Sequence, residues 1–318
     1  MNDIRTLYRR FALGATLMTL IAALLRVPSL CLFFDRTVGY CDSNVFSTLL
    51  YIVVPLFLLL CAAYVILARK CEKTQRRAIS PDVTVKTKTV LIASILATLV
   101  FVGVVAWEAV NYTATSYEAL LRIVGALLAA VYFAVPNKQK VMVLGLGTHL
   151  YCVFVLVTEY FDWTIPMNSP LKTMQQAAMI AVLLFMTVEL NHLNDTRRSI
   201  RYTVCAALAL FFGFSCSISF VAAYPLGGIV RTDVLVHSLP ALAVALYALA
   251  RIFSYHVIDI PNEQEQPPEE MIADQESEPS LDDQEGPATA PDESSPTESD
   301  SAPQASPTTP EEDHPSHG

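Results

Sequence analysis

Charge is scarce over most of this sequence. Only 16% of its 318 residues are charged while 53% are apolar, against about 25% and 45–50% in soluble domains. That shortage excludes an ordinary soluble globular domain as the main body. Glycine is sparse, at 11 residues, and tryptophan occurs twice. None of the seven cysteines forms a CxxC pair, which removes a thioredoxin-like reading and a cysteine-rich zinc site. No segment carries a recognisable catalytic or cofactor motif. The expectations are therefore no enzyme activity, no cofactor, no metal and no nucleic-acid partner.

A second absence is local. Residues 262–318 contain 17 Asp or Glu and no Lys or Arg. Residues 1–261 then hold 13 acidic and all 21 basic residues, a body of +8 within a chain of −9. The acidity of the whole says nothing about the body. A positive body embedded in lipid suits an anionic leaflet.

What is present is a series of long apolar runs. Lipid offers no hydrogen bonds, so a crossing segment must satisfy its backbone as a helix or within a closed barrel. A helix needs roughly 20 apolar residues to cross. Eight runs qualify, at about 11–34, 46–68, 89–107, 119–135, 141–160, 174–192, 203–223 and 235–254. None alternates as a barrel strand does. The fold class expected is all-α, a transmembrane bundle of about eight spans over residues 1–260. The fourth and fifth runs are short and close together, which also fits a hairpin dipping partway into the membrane. Arg5, Arg9 and Arg10 precede the first run, as in a signal peptide, but that run is too long and lacks a small-x-small cleavage site. It reads as a retained span.

Orientation follows from Lys and Arg. With the N-terminus inside, the inner segments hold 16 basic residues and the outer loops only three, Arg36, Lys172 and Arg231. The bias alternates correctly through every loop. Both termini are expected in the cytoplasm, and the membrane expected is the plasma membrane. Trp107 and Trp163 fall at outer span ends, where amphipathic rings favour the headgroup layer. The halves show no internal repeat of the kind seen in inverted-repeat transporters.

Residues 261–318 form a Pro/Ser/Glu-rich tail with little to bury, so it is expected to be disordered and cytoplasmic. It offers a lure for a basic cytoplasmic protein, Ser-Pro and Thr-Pro sites at Ser306 and Thr309, or contact with the basic loop around Arg69, Lys70, Lys73, Arg76 and Arg77. The bland alternative is a solubilising tail.

Ionisable groups inside spans are costly and mark functional candidates. Arg26, Glu108 and Arg122 belong to one leaflet, and together they make a candidate polar cavity for an anionic ligand. Each has a plainer reading. Arg26 can snorkel outward, Glu108 can sit solvated at the interface, and Glu118 can neutralise Arg122 at i, i+4. His149 is expected to bond a neighbouring helix, with Gly145 and Gly147 allowing close packing. Glu189 and His192 form a lone ExxH, too little for a di-iron site; solvation or pairing with Arg197 or Arg198 is the expectation. Ser215 and Ser219 share a face and are expected to hydrogen-bond across helices. Cys31 and Cys41 bracket the first outer loop and form a candidate disulfide in an oxidising exterior. Asn111 opens a sequon pressed against the membrane.

Three function classes remain. The favoured one is a membrane sensor, scaffold or accessory subunit whose tail reaches a cytoplasmic partner. The alternative is a small-solute transporter, with an anion as cargo. The lesser alternative is a membrane-embedded lipid enzyme. Gly- and Ala-rich helix faces also permit oligomers.

Overall fold

A computed structural model describes residues 4–35, 40–41, 44–75, 77–81, 87–111, 117–162, 166, 169–194, 199–225 and 232–259. The acidic tail, Arg36, Trp163, Asp195, Arg197, Arg198 and Arg231 lie outside the described residues, as does the side chain of Cys41.

Nine α-helices are described: α1 (Ile4–Leu32), α2 (Val45–Gln75), α3 (Lys88–Val110), α4 (Tyr117–Ala134), α5 (Leu146–Phe161), α6 (Pro170–Asn194), α7 (Ser199–Leu208), α8 (Ser215–Ala223) and α9 (Thr232–Phe253). A 3₁₀ segment, Lys138–Gly145, leads into α5, and a π-helical segment, Ala209–Phe214, joins α7 to α8. With those joins, eight helical units are long and apolar enough to cross a membrane. The chain is a multi-pass helical membrane protein, as its apolar runs imply. Most helices outrun those runs. α1 starts at Ile4 rather than near residue 11, because Arg5, Arg9 and Arg10 ride on its first turns. Asn44 caps α2 by accepting the Ser47 amide at 2.8 Å. Pro170 opens α6, where its missing N–H costs nothing.

The helices run up and down, so the bundle has an N-terminal end and a far end. At the far end, Ser29 of α1 meets Ser47 of α2 at 2.9 Å. At the N-terminal end, the Tyr8 hydroxyl donates to Ile252 O of α9 at 2.7 Å, and its ring lies 4.4 Å from Tyr255. Two short antiparallel pairs close the ends. β1 (Phe34–Asp35) pairs with β2 (Tyr40–Cys41) at the far end. β3 (Arg77–Pro81) pairs with β4 (Tyr255–Asp259) at the N-terminal end, in the register Arg77↔Asp259 to Pro81↔Tyr255. β4 thereby anchors the chain directly before the acidic segment.

Side chains that face outward along the helices are apolar, among them Leu13, Leu24, Leu59, Ile66, Ile92 and Leu99. Exposed apolar area on this scale is what a lipid-facing surface requires. Inside, aromatic rings link the helices: Phe57 of α2 stacks on Phe211 at 4.1 Å, and Phe133 of α4 meets Tyr247 of α9 edge-on at 5.1 Å. α4 and α5 approach closely. A Cβ placed on Gly147 would lie 2.4 Å from Leu128 Cβ and 2.7 Å from Gly125 O. Only glycine permits backbones this close. Gly145, the second small residue, packs on Leu190 and Tyr132.

Several local expectations change. Ser215 and Ser219 donate to carbonyls one turn back on their own chain, Phe211 O and Ser215 O. Ser217 instead crosses to α9, donating to Ser238 O at 2.8 Å. Ser217 lies two residues from Ser215 and from Ser219, on the opposite side of α8, and that side meets α9. His149 does reach a neighbouring helix, with Nε2 2.9 Å from Thr187 Oγ1 of α6. Cys31 is half-buried, and the side chain of Cys41, its candidate disulfide partner, lies outside the described residues.

Candidate functional site

Buried polar groups gather at the two ends of the bundle. At the far end the site begins with Glu108. The inward stripe of α3 runs Val90, Ala93, Ala97, Phe101, Val104 and Glu108, spaced three and four apart. Glu108 therefore continues a core face. It is buried, so the plainer of its two readings, solvation at the interface, does not hold. On α4, Ala119, Arg122, Ala126, Ala129 and Phe133 form the facing stripe. Arg122 accordingly points at α3 and grips Glu108 with two bonds, Nε–Oε1 at 2.7 Å and Nη2–Oε2 at 3.1 Å. This side-by-side fork is the strongest carboxylate–guanidinium geometry.

The expected Glu118–Arg122 neutralisation is corrected on this point. Glu118, in the first turn of α4, is exposed, and the buried carboxylate that Arg122 holds is Glu108. Two further groups complete the cluster. Arg122 Nη1 donates to Thr158 Oγ1 of α5 at 2.8 Å. His237 Nε2 of α9 lies 2.8 Å from Glu108 Oε1, which requires the hydrogen on that nitrogen. Four helices thus converge on the Glu108–Arg122 pair.

Arg26 takes another position. It is 4% exposed, and its Nη2 donates to Pro170 O at the start of α6 at 3.0 Å. It does not snorkel, because α6 offers it a carbonyl within the bundle. Of the three cavity candidates, the structure joins Glu108 and Arg122 directly, and it brings Arg26 to α6.

Above the Glu108 cluster opens a pocket of about 300 Å³ between α4, α5, α6 and α9. That volume is at the small end of ligand sites. Thr158 and His237 form part of its lining, and Glu118 lies at the start of α4. From α5 and the residue after it come Glu159 and Asp162, and from α9 comes Asp233. Lys172 and Gln175 contribute from α6. The Lys172 ammonium is turned back onto the end of α5, donating to Tyr160 O and Asp162 O at 3.1 Å each. It acts as a C-terminal cap for carbonyls that have no helical acceptor role to fill. Gln175 is 3% exposed, and its Nε2 has no hydrogen-bond partner.

At the N-terminal end, Glu189 of α6 is the centre. It is 1% exposed, as is Arg251 of α9. Glu189 Oε1 accepts Arg251 Nη2 at 2.8 Å and the Tyr247 hydroxyl at 2.7 Å. Oε2 accepts the Tyr202 hydroxyl of α7 at 2.5 Å, and Arg251 Nε donates to Tyr247 at 2.8 Å. The expectation of solvation, or of pairing with Arg197 or Arg198, gives way to this buried pair. Arg251 lies on the core stripe of α9 and reaches Glu189 without leaving it. Nearby, the buried Lys138 donates to Tyr132 O and Phe133 O at 2.8 and 2.9 Å, capping α4. In Pro136–Asn137–Lys138 and Pro170–Leu171–Lys172 alike, a lysine two residues after a proline reaches back to the helix just ended.

Among the described residues no three His, Cys, Asp or Glu converge so as to hold a metal ion. What the arrangement can do chemically is hold charge: a satisfied carboxylate at each end, and a polar pocket over one of them. Fold and sites define a multi-pass helical membrane protein with buried charge clusters at both ends. No protein-family model, curated protein or solved structure matches the chain.

Proposed function

We propose that this chain is a membrane-embedded sensor or accessory subunit that binds a small solute in the far-end pocket and reports through its C-terminal acidic segment. The supporting observation is the path of α9. Its first two turns place Asp233 and His237 in the pocket wall. Its last turn places Arg251 on Glu189, and the chain then runs through β4 into residues 260–318. One continuous helix therefore runs from the pocket to β4, which precedes the acidic segment. Contacts at its start are mechanically tied to its end, as coupling between sites requires. Pro240 and the π segment packed beside it supply a place to bend: a Cβ on Gly213 would already lie 3.0 Å from Ala241 O.

The same reading sets both termini in the cytoplasm and the pocket on the exterior. The support is the Lys and Arg bias of 16 to three. The acidic segment then faces a basic cytoplasmic partner. A small-solute transporter is the second reading, favoured by the buried charges at both ends of one bundle. Reconstituted liposomes separate the two. A sensor binds solute and passes none across the bilayer; accumulation of a bound solute in the lumen would establish transport.

A further inference from the structure

Another cavity lies at the N-terminal end, between the start of α1 and the end of α9. It measures about 290 Å³ and is lined by Tyr8, Arg9, Ala12, Leu13, Phe253 and Tyr255. None of these residues belongs to either charge cluster. Part of the wall is fixed in place. Ile252 O holds the Tyr8 hydroxyl at 2.7 Å, and the Tyr8 and Tyr255 rings lie 4.4 Å apart. Two lining side chains face outward: Leu13 is 61% exposed and Phe253 is 49% exposed. The cavity is therefore bordered by the lipid-facing surface of the bundle.

Arg9 is the charged member of the lining, and it is exposed. Among the described residues it has no hydrogen-bond or ion-pair partner. Its surroundings carry the same sign. The first turns of α1 and the last turns of α2, joined by Phe11 stacked on Tyr64 at 4.0 Å, also expose Arg10, Arg69, Lys70 and Lys73. The acid on these turns, Glu72, is half-buried. Beyond Arg9 the outer face of α1 turns apolar: Leu13, Leu17, Leu20 and Leu24 follow at steps of four, three and four, all exposed. Arg9 and Leu13 stand about 6 Å apart along the helix. That is roughly the thickness of the headgroup layer on one side of a bilayer. A guanidinium thus sits over an apolar stripe, at the spacing of a lipid phosphate over its acyl chain.

We propose that this cavity binds one anionic phospholipid from the surrounding leaflet. The phosphate pairs with Arg9, and an acyl chain lies along Leu13, Leu17 and Leu20. Tyr8 and Tyr255 supply amphipathic rings of the kind that favour the headgroup layer. A zwitterionic lipid fits less well, because its own ammonium offsets the phosphate that Arg9 would hold. On the orientation proposed above, this is the cytoplasmic leaflet, where anionic lipids gather. A lipid seated here touches β4 through Tyr255, directly before the acidic segment. The site is separate from the far-end pocket and does not depend on it.

The test is native mass spectrometry of the full chain in detergent, titrated with phosphatidylglycerol and with phosphatidylcholine of the same acyl chains. The expected result is one retained phosphatidylglycerol, bound in preference to phosphatidylcholine. Arg9→Gln should weaken that binding about fivefold, the loss of one basic group at the membrane surface. Arg9→Lys should keep most of it. Arg10→Gln removes the same charge one residue away, outside the cavity lining, and should change binding by less than about twofold. Arg9→Gln should keep the wild-type Tm in phosphatidylcholine, because Arg9 bonds to no described residue. Glycerol phosphate, a headgroup without chains, should displace the lipid no better than sodium chloride of equal ionic strength. Equal losses from Arg9→Gln and Arg10→Gln would reveal diffuse surface attraction and overturn the site. Displacement by glycerol phosphate beyond the salt control would overturn the lipid assignment in favour of a free phosphate. Equal retention of the two lipids would overturn the anionic preference.

Discussion

Consider removing Glu189. Its carboxylate accepts from Arg251, Tyr247 and Tyr202, all within 2.8 Å, and both it and Arg251 are 1% exposed. Glu189→Leu leaves a buried guanidinium without its counter-charge and two hydroxyls without their acceptor. Breaking one partner of such a pair costs about 3–5 kcal/mol, whereas replacing both by apolar groups is often close to neutral. For a body of this size the single change lowers Tm by about 6–20 °C. The assay is a double-mutant cycle on Glu189→Leu and Arg251→Met, read by unfolding in mixed micelles. The geometry requires a coupling of at least about 2 kcal/mol, with the double variant more stable than Glu189→Leu alone. Additive losses, or a single-variant cost under about 1 kcal/mol, would refute the buried pair.

Other consequences follow from individual contacts. Gly147→Ala places a Cβ 2.4 Å from Leu128 Cβ, well inside the 3.5–4.0 Å carbon contact distance. α4 and α5 must part by roughly 1 Å, at a cost of about 1–3 kcal/mol in the same unfolding assay. Glu108→Gln should destabilise by about 3 kcal/mol, because Arg122 loses its charged partner while keeping Thr158. His237→Ala should cost about 1 kcal/mol, since Arg122 still neutralises Glu108; equal costs would contradict the ranking. Lys138→Met uncaps the carbonyls of Tyr132 and Phe133, at about 1–3 kcal/mol. Lys138→Gln, which keeps donors of a shorter reach, should lose less.

The span number was legible in the sequence because lipid imposes it: each crossing needs a long apolar helix, and eight stretches supply one. The sites were legible only in part. Glu108 and Arg122 stood out as charges in apolar runs, but their partnership depends on which helices become neighbours. Glu118 was the nearer residue in sequence, while Glu108 was the nearer one in space. A signal was nevertheless present. Glu108 continues the three-four spacing of Phe101 and Val104, and Glu189 that of Val182 and Phe185. A charge in register with a core stripe faces the bundle, not the interface. The same spacing marks Gln175, which drew no notice because an amide carries no charge. Arg251 was counted as an inner charge at the end of the eighth span, and only the register of α9 reveals it as a core residue. Lys138 and Lys172 read as topology signals, yet their ammonium groups cap helix ends. His237 lay near the start of its span, where one histidine carries no pattern.

The sensor reading depends on α9 carrying a signal from the pocket to β4. Hydrogen exchange at the β4 amides, residues 255–259, tests that link most directly. It would be measured in nanodiscs with and without a saturating solute chosen by its rise in Tm, such as an amino acid. The account predicts that a solute bound in the pocket changes β4 protection. Unaltered exchange at β4 while melts show the solute bound would contradict it.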